Sequence, residues 1–147
     1  MDNPGDGALV HQIHWHVLLV HFPISFFIAA FGFQILHLFM APYCFELATN
    51  AMLIGGAFVM IPTVLSGWSS WKNRYKGAPG TLFKRKIVIG FIMLFLSALL
   101  AAWRTIGFGF FNEAGENPQH LIYLAGNTLL IVGAIAEGFY GGRLNHR

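Results

Sequence analysis

Charge is what this sequence has least of. Only 10% of its 147 residues are Asp, Glu, Lys or Arg, against about 25% in soluble domains, so the chain has too little polar surface to meet water on all sides. Cysteine occurs once, at Cys44. That excludes an internal disulfide, and a lone thiol is expected to pack as a small apolar filler. No nucleophile elbow, Walker A loop, dinucleotide fingerprint or spaced zinc motif is present, which removes the common classes of independent soluble enzyme. The chain also lacks a soluble domain, a sustained repeat and a low-complexity tract.

Apolar residues fill the space: 56% of the chain is apolar, 16% is aromatic, and the mean hydropathy is +0.60. Four apolar runs stand out, at about residues 22–40, 49–68, 87–103 and 121–140. Each approaches the ~20 residues that a helix needs to cross ~30 Å of hydrocarbon. Helices satisfy their own backbone polar groups in lipid, whereas open strands do not. The expected fold is therefore all-α, a single-domain integral membrane four-helix bundle in contact with the lipid bilayer. Breakers mark its connectors: Ala41-Pro42, Gly77-Ala78-Pro79-Gly80, and the stretch from Asn112 to Pro118. The first run is not a cleavable signal, because no basic region precedes it and it continues too long.

Basic residues orient the bundle. With four spans, both termini and the loop between spans two and three share one side. That side holds Lys72, Arg74, Lys76, Lys84, Arg85, Lys86, Arg143 and Arg147, and the opposite side holds only Arg104. Lys and Arg collect on the cytoplasmic face, so both termini are expected there, with Glu46, Glu113 and Glu116 outside. Trp15, Trp68 and Trp71 suit the inner boundary, and Tyr43 and Trp103 the outer one. The short, juxtamembrane basic loop reads as topogenic or lipid-contacting, and no nucleic-acid partner is expected.

Ionisable residues at membrane depth are functional candidates by default. His37 lies near the outer end of span one, and His120 opens span four on the same side. Two imidazoles on facing helices are what six-coordinate haem iron needs, so His37 and His120 form the leading pair for a haem b, with interfacial hydration as the alternative. Towards the inner side, HVLLVHFPI places His16 and His21 at the entrance to span one. At 100° per residue, His14, His21, Ser25, Ala29 and Gly32 share a face whose small side chains would admit a flat ring or a neighbouring backbone. His16, Gln34 and His37 fall on a different face. No histidine on spans two to four sits near His21, which directs attention to a polar cluster with Lys86, Glu137 and Arg143. That cluster would fix helix contacts or pass protons to a quinone headgroup. The His11, His14 and His16 group is a weak metal candidate. Gln34, Thr63, Ser66, Ser97, Asn127 and Thr128 suit interhelical hydrogen bonds. Gly55, Gly56 and Gly67 on span two, and Gly126 and Gly133 on span four, mark close packing. Pro23 either starts span one or interrupts a longer helix.

The run from His16 to Ile24 resembles the first-helix signature of a family of prokaryotic membrane proteins, domain of unknown function 2231. Its usual pattern is His-Pro, two apolar residues and Val-His-Phe-Pro, matched here at His16, Val20, His21, Phe22 and Pro23. SGWSSW at 66–71, Arg104 and GFYGGRL at 138–144 extend the likeness. Val17 stands where the family has proline, and FKRKIVIG at 83–90 lacks a histidine common in that helix. The resemblance implies a four-helix protein of the prokaryotic inner membrane, associated with redox or respiratory modules. Three functions are consistent with these residues. The first is an electron-transfer, b-type haem subunit of a larger redox complex, with His37, His120, His21 and His16 as candidate ligands. The others are a cofactor-free anchor or assembly subunit, and a quinone-reactive or proton-coupled membrane protein using His21 and Glu137.

Overall fold

In a computed structural model of the chain, the described backbone covers residues 4–40, 43–74, 77, 80–108 and 119–145, and side chains are described within 19–40, 43–73, 77, 80–107 and 121–143. Four helices follow one another: α1 (Pro4–Met40), α2 (Tyr43–Arg74), α3 (Thr81–Phe108) and α4 (Gln119–Asn145). All four are long and apolar enough to cross a bilayer, over Leu19–Met40, Tyr43–Asn73, Thr81–Gly107 and Leu121–Arg143. Among the described residues, α1 packs on α2 and α4, and α3 packs on α2 and α4, while the diagonal pairs do not meet. The bundle is therefore a closed ring in sequence order, with α4 beside α1. The end with both chain termini and the α2–α3 turn is called the terminal end below, and the opposite one the distal end.

Each helix runs past the apolar segment that announces it. Pro23 does not start α1 but lies inside it, fully buried. A proline has no N–H for the carbonyl four residues earlier, here that of Leu19. The Thr63 hydroxyl on α2 lies 3.3 Å from that carbonyl and 2.8 Å from its own Val59 carbonyl, so one proton is shared between helix and neighbour. The turn after α2 depends on Gly77, whose φ of 67° suits glycine. Its N–H donates to the Trp71 carbonyl and closes the helix end.

Cross-helix contacts fix the antiparallel register. On α1 and α2, Phe33 stacks on Phe45, Thr49 reaches the Ala30 carbonyl, and Phe27 lies against Gly56. On α2 and α3, Glu46 meets Arg104, Asn50 meets Thr105, and Val64 meets Gly90. On α3 and α4, Leu100 fits against Gly126, Met93 against Gly133, and Lys86 against Glu137. Gly55, Gly56, Gly126 and Gly133 thus lie where neighbouring side chains come close. The small-residue face expected on span one does not pack: His21, Ser25 and Gly32 are exposed, and no atom lies within 4 Å of a Cβ placed at Gly32. The buried face is instead Pro23, Phe27, Ala30 and Gln34. Helical phase separates the two faces but cannot say which one meets a neighbour when both are apolar. Cys44, expected as a filler, is likewise exposed.

The interior is more polar than the exterior. Phe39, Phe58, Leu65, Phe95, Leu129 and Ile135 face outward, whereas Gln34, Glu46, Thr49, Asn50, Ser97, Arg104 and Asn127 are buried. This suits lipid, where apolar surface needs no shelter and polar groups do.

Candidate functional site

Two charged centres occupy opposite ends of the bundle. At the distal end, Glu46 lies one turn into α2 and Arg104 one turn before the end of α3. Arg104 Nε donates to Glu46 Oε1 at 2.7 Å, and both side chains are 4% exposed or less. The second oxygen, Glu46 Oε2, faces His37 Nε2 on α1 at 4.0 Å. Taking a carboxylate and a guanidinium out of water is costly unless they compensate one another. A charge-assisted hydrogen bond of this length is the strong kind. Three helices, α1, α2 and α3, thus contribute side chains to this centre.

Around and below the pair, neutral polar groups accumulate. Asn50 Nδ2 donates to Thr105 Oγ1 at 3.1 Å, and Asn127 Nδ2 donates to the Tyr123 carbonyl at 3.1 Å. Yet Gln34 Nε2 and Oε1, Asn50 Oδ1, Tyr123 OH and Asn127 Oδ1 are buried with no hydrogen-bond partner among the described residues. Such groups are uncommon in folded proteins and call for an explanation.

At the terminal end, Lys86 near the start of α3 meets Glu137 on the last turns of α4, Nζ to Oε2 at 3.4 Å. The other carboxylate oxygen, Glu137 Oε1, is buried and has no hydrogen-bond partner among the described residues. Small neighbours make room for the pair. A Cβ at Gly141 would come within 3.3 Å of Lys86 Nζ, and one at Gly90 within 3.9 Å of Glu137 Oε1. An apolar layer separates the two centres: Leu53 and Leu130 are fully buried, with Met60, Met93, Leu100 and Ala134 beside them.

The candidate residues divide accordingly. Lys86 and Glu137 come together. Arg143 instead lies over the Phe139 ring, 4.6 Å from its centroid, and His21 is exposed. His37 joins the distal centre through Glu46. The side chains of His11, His14, His16 and His120 lie outside the described residues; His16 is placed on α1 and His120 in the first turn of α4. Glu46, expected outside, is buried between helices because Arg104 compensates its charge. α2 begins at Tyr43, ahead of the apolar run that starts near Thr49, so Glu46 lies within its first turn. Arg104, expected to end span three, is followed by a further turn of α3. The signal for this pair was present: Arg104 is the lone basic residue on its side, and Glu46 is the acidic residue beginning the neighbouring span. Among the described residues no group of three or more His, Cys, Asp or Glu is placed to hold a metal ion.

Residues 12–147 match a family described as predicted membrane protein (DUF2231), so the chain belongs to that family. No curated protein and no solved structure matches.

Proposed function

We propose that this DUF2231 member is a proton-handling subunit of a redox complex in the prokaryotic inner membrane, with a quinone as the reacting partner. The observation that carries the reading is Glu137. One of its oxygens faces Lys86, and the other is buried and uncommitted, which is what a carboxylate needs in order to take and release a proton inside a bundle. As a quinone carbonyl oxygen is reduced by electrons from a partner redox subunit, Glu137 supplies a proton and is recharged from the adjacent aqueous side. Lys86 holds the carboxylate in place and balances its charge once the proton has left. Among the described residues, Lys72, Lys84, Arg85, Lys86 and Arg143 lie towards this terminal end, which supports a cytoplasmic placement of both termini. In membranes carrying the protein, Glu137→Gln should lower quinone-coupled proton uptake by roughly 100-fold. Full coupling in that variant would end the proposal.

The adjacency of α1 and α4 favours a second reading, a b-type haem held by His37 and His120. The interior at the distal end does not suit a porphyrin, because it is lined by polar and charged side chains, Gln34, Glu46, Thr49, Asn50 and Arg104, at 0–4% exposure. A reduced-minus-oxidised spectrum of purified protein from haem-replete cells separates the readings. Haem predicts paired α and β bands that are lost in His37→Ala. A colourless folded sample rejects haem and leaves the Glu137 prediction standing.

A further inference from the structure

We infer that the distal half of the bundle binds a column of internal water, running from the level of Glu46 down to Asn127 and ending on the apolar layer. Five buried atoms on three helices carry the inference: Gln34 Nε2 and Oε1 on α1, Asn50 Oδ1 on α2, and Tyr123 OH and Asn127 Oδ1 on α4, none with a hydrogen-bond partner among the described residues. Gln34, Asn50 and Asn127 are at most 1% exposed, so bulk solvent does not satisfy them. Lipid cannot satisfy them either.

The register strings these atoms along the bundle. Gln34 is one turn from Ala30, whose carbonyl meets Thr49, and Asn50 is one turn from Glu46. Tyr123 lies one turn from Gly126, which packs on Leu100 a turn from Arg104, and Asn127 sits one turn below Tyr123, bonded to its carbonyl. Below Asn127 the interior turns apolar at Leu130 and Ala134. Buried water makes about three hydrogen bonds to otherwise unsatisfied groups. The uncommitted set here contains both acceptors and donors: three carboxamide oxygens, one carboxamide nitrogen and a hydroxyl. A bare cation would be opposed by Arg104, and an anion would meet mostly acceptors. Neutral, doubly hydrogen-bonding water matches both constraints.

The role of the column rests on the proton-handling reading, but its existence does not. Water between Tyr123, Asn127 and Glu46 lets a proton travel from the distal end to mid-bundle, where the Met60, Met93 and Leu130 layer keeps it from the Lys86–Glu137 centre. The test is water-edited solid-state NMR of the full chain in lipid bilayers. Water magnetisation should reach the side-chain amides of Gln34, Asn50 and Asn127 and should not reach the methyl groups of Leu130. In Gln34→Leu, transfer to Asn50 and Asn127 should weaken while the helical content is retained. Carboxamide signals as dry as the Leu130 methyls overturn the inference, as does transfer that Gln34→Leu leaves unchanged. Glu137→Gln should not alter these signals. If the water is found and proton uptake survives Glu137→Gln, the functional proposal falls and the column stands.

Discussion

Arg104→Met should destabilise the folded bundle by about 3–5 kcal/mol, the cost typical of removing one partner from a buried ion pair. The methionine replaces the aliphatic bulk of the arginine, so little packing is lost. What remains is Glu46, 4% exposed, with its principal compensating charge gone. His37 Nε2 faces the same carboxylate at 4.0 Å, longer than a hydrogen bond, and substitutes poorly for a bidentate-capable guanidinium. Adding Glu46→Gln should recover a large part of the loss, because neutral partners of similar shape avoid the buried charge altogether. Reversible unfolding in mixed micelles measures both. An Arg104→Met protein within about 0.5 kcal/mol of the parent would show that the pair carries no weight in the fold.

Gly56→Ala should cost about 1–2 kcal/mol. A Cβ there would sit 2.6 Å from Phe27 Cε1, and Phe27 is 1% exposed, so its ring must shift within the packed interior. Overpacking of this kind costs about 1–3 kcal/mol, offset in part by the helix preference of alanine, up to about 1 kcal/mol. Gly32→Ala is the matched control, since nothing lies within 4 Å of its Cβ position, and it should equal the parent or exceed its stability by up to about 1 kcal/mol through helix preference alone. The contact belongs to the pair, so Phe27→Leu in the Gly56→Ala background should relieve part of the strain, read as a coupling energy in a double-mutant cycle. Equal effects at Gly56 and Gly32 would remove steric contact as the cause.

Much of the architecture was legible before any coordinate. Four apolar stretches of spanning length leave a helical bundle as the main solution in lipid, because backbone polar groups must be satisfied within each segment. The glycine pairs on spans two and four pointed to close contacts that are present. The pairing of Lys86 with Glu137 was also foreseeable, since a carboxylate near the end of one span and a lysine at the start of the preceding one share a depth. Other features were not. The buried face of α1 could not be chosen from phase, because lipid and protein interior are nearly equally apolar and the usual contrast between inside and outside is missing. Burial of Glu46 was hidden for a related reason. A charge near a span end normally marks water, and only a partner on another helix reverses that rule.

The sequence by itself determined the membrane, the four helices, their order and the family, because length, hydropathy and short connectors are local properties that each segment carries alone. Only the tertiary structure decided that α4 lies beside α1, that Gln34 rather than Ser25 faces the core, and that Glu46, Arg104 and His37 meet. These depend on depth and rotation of one helix relative to another. Steric fit and buried polar pairing between segments distant in the chain set both, and neither leaves a local trace in composition or spacing.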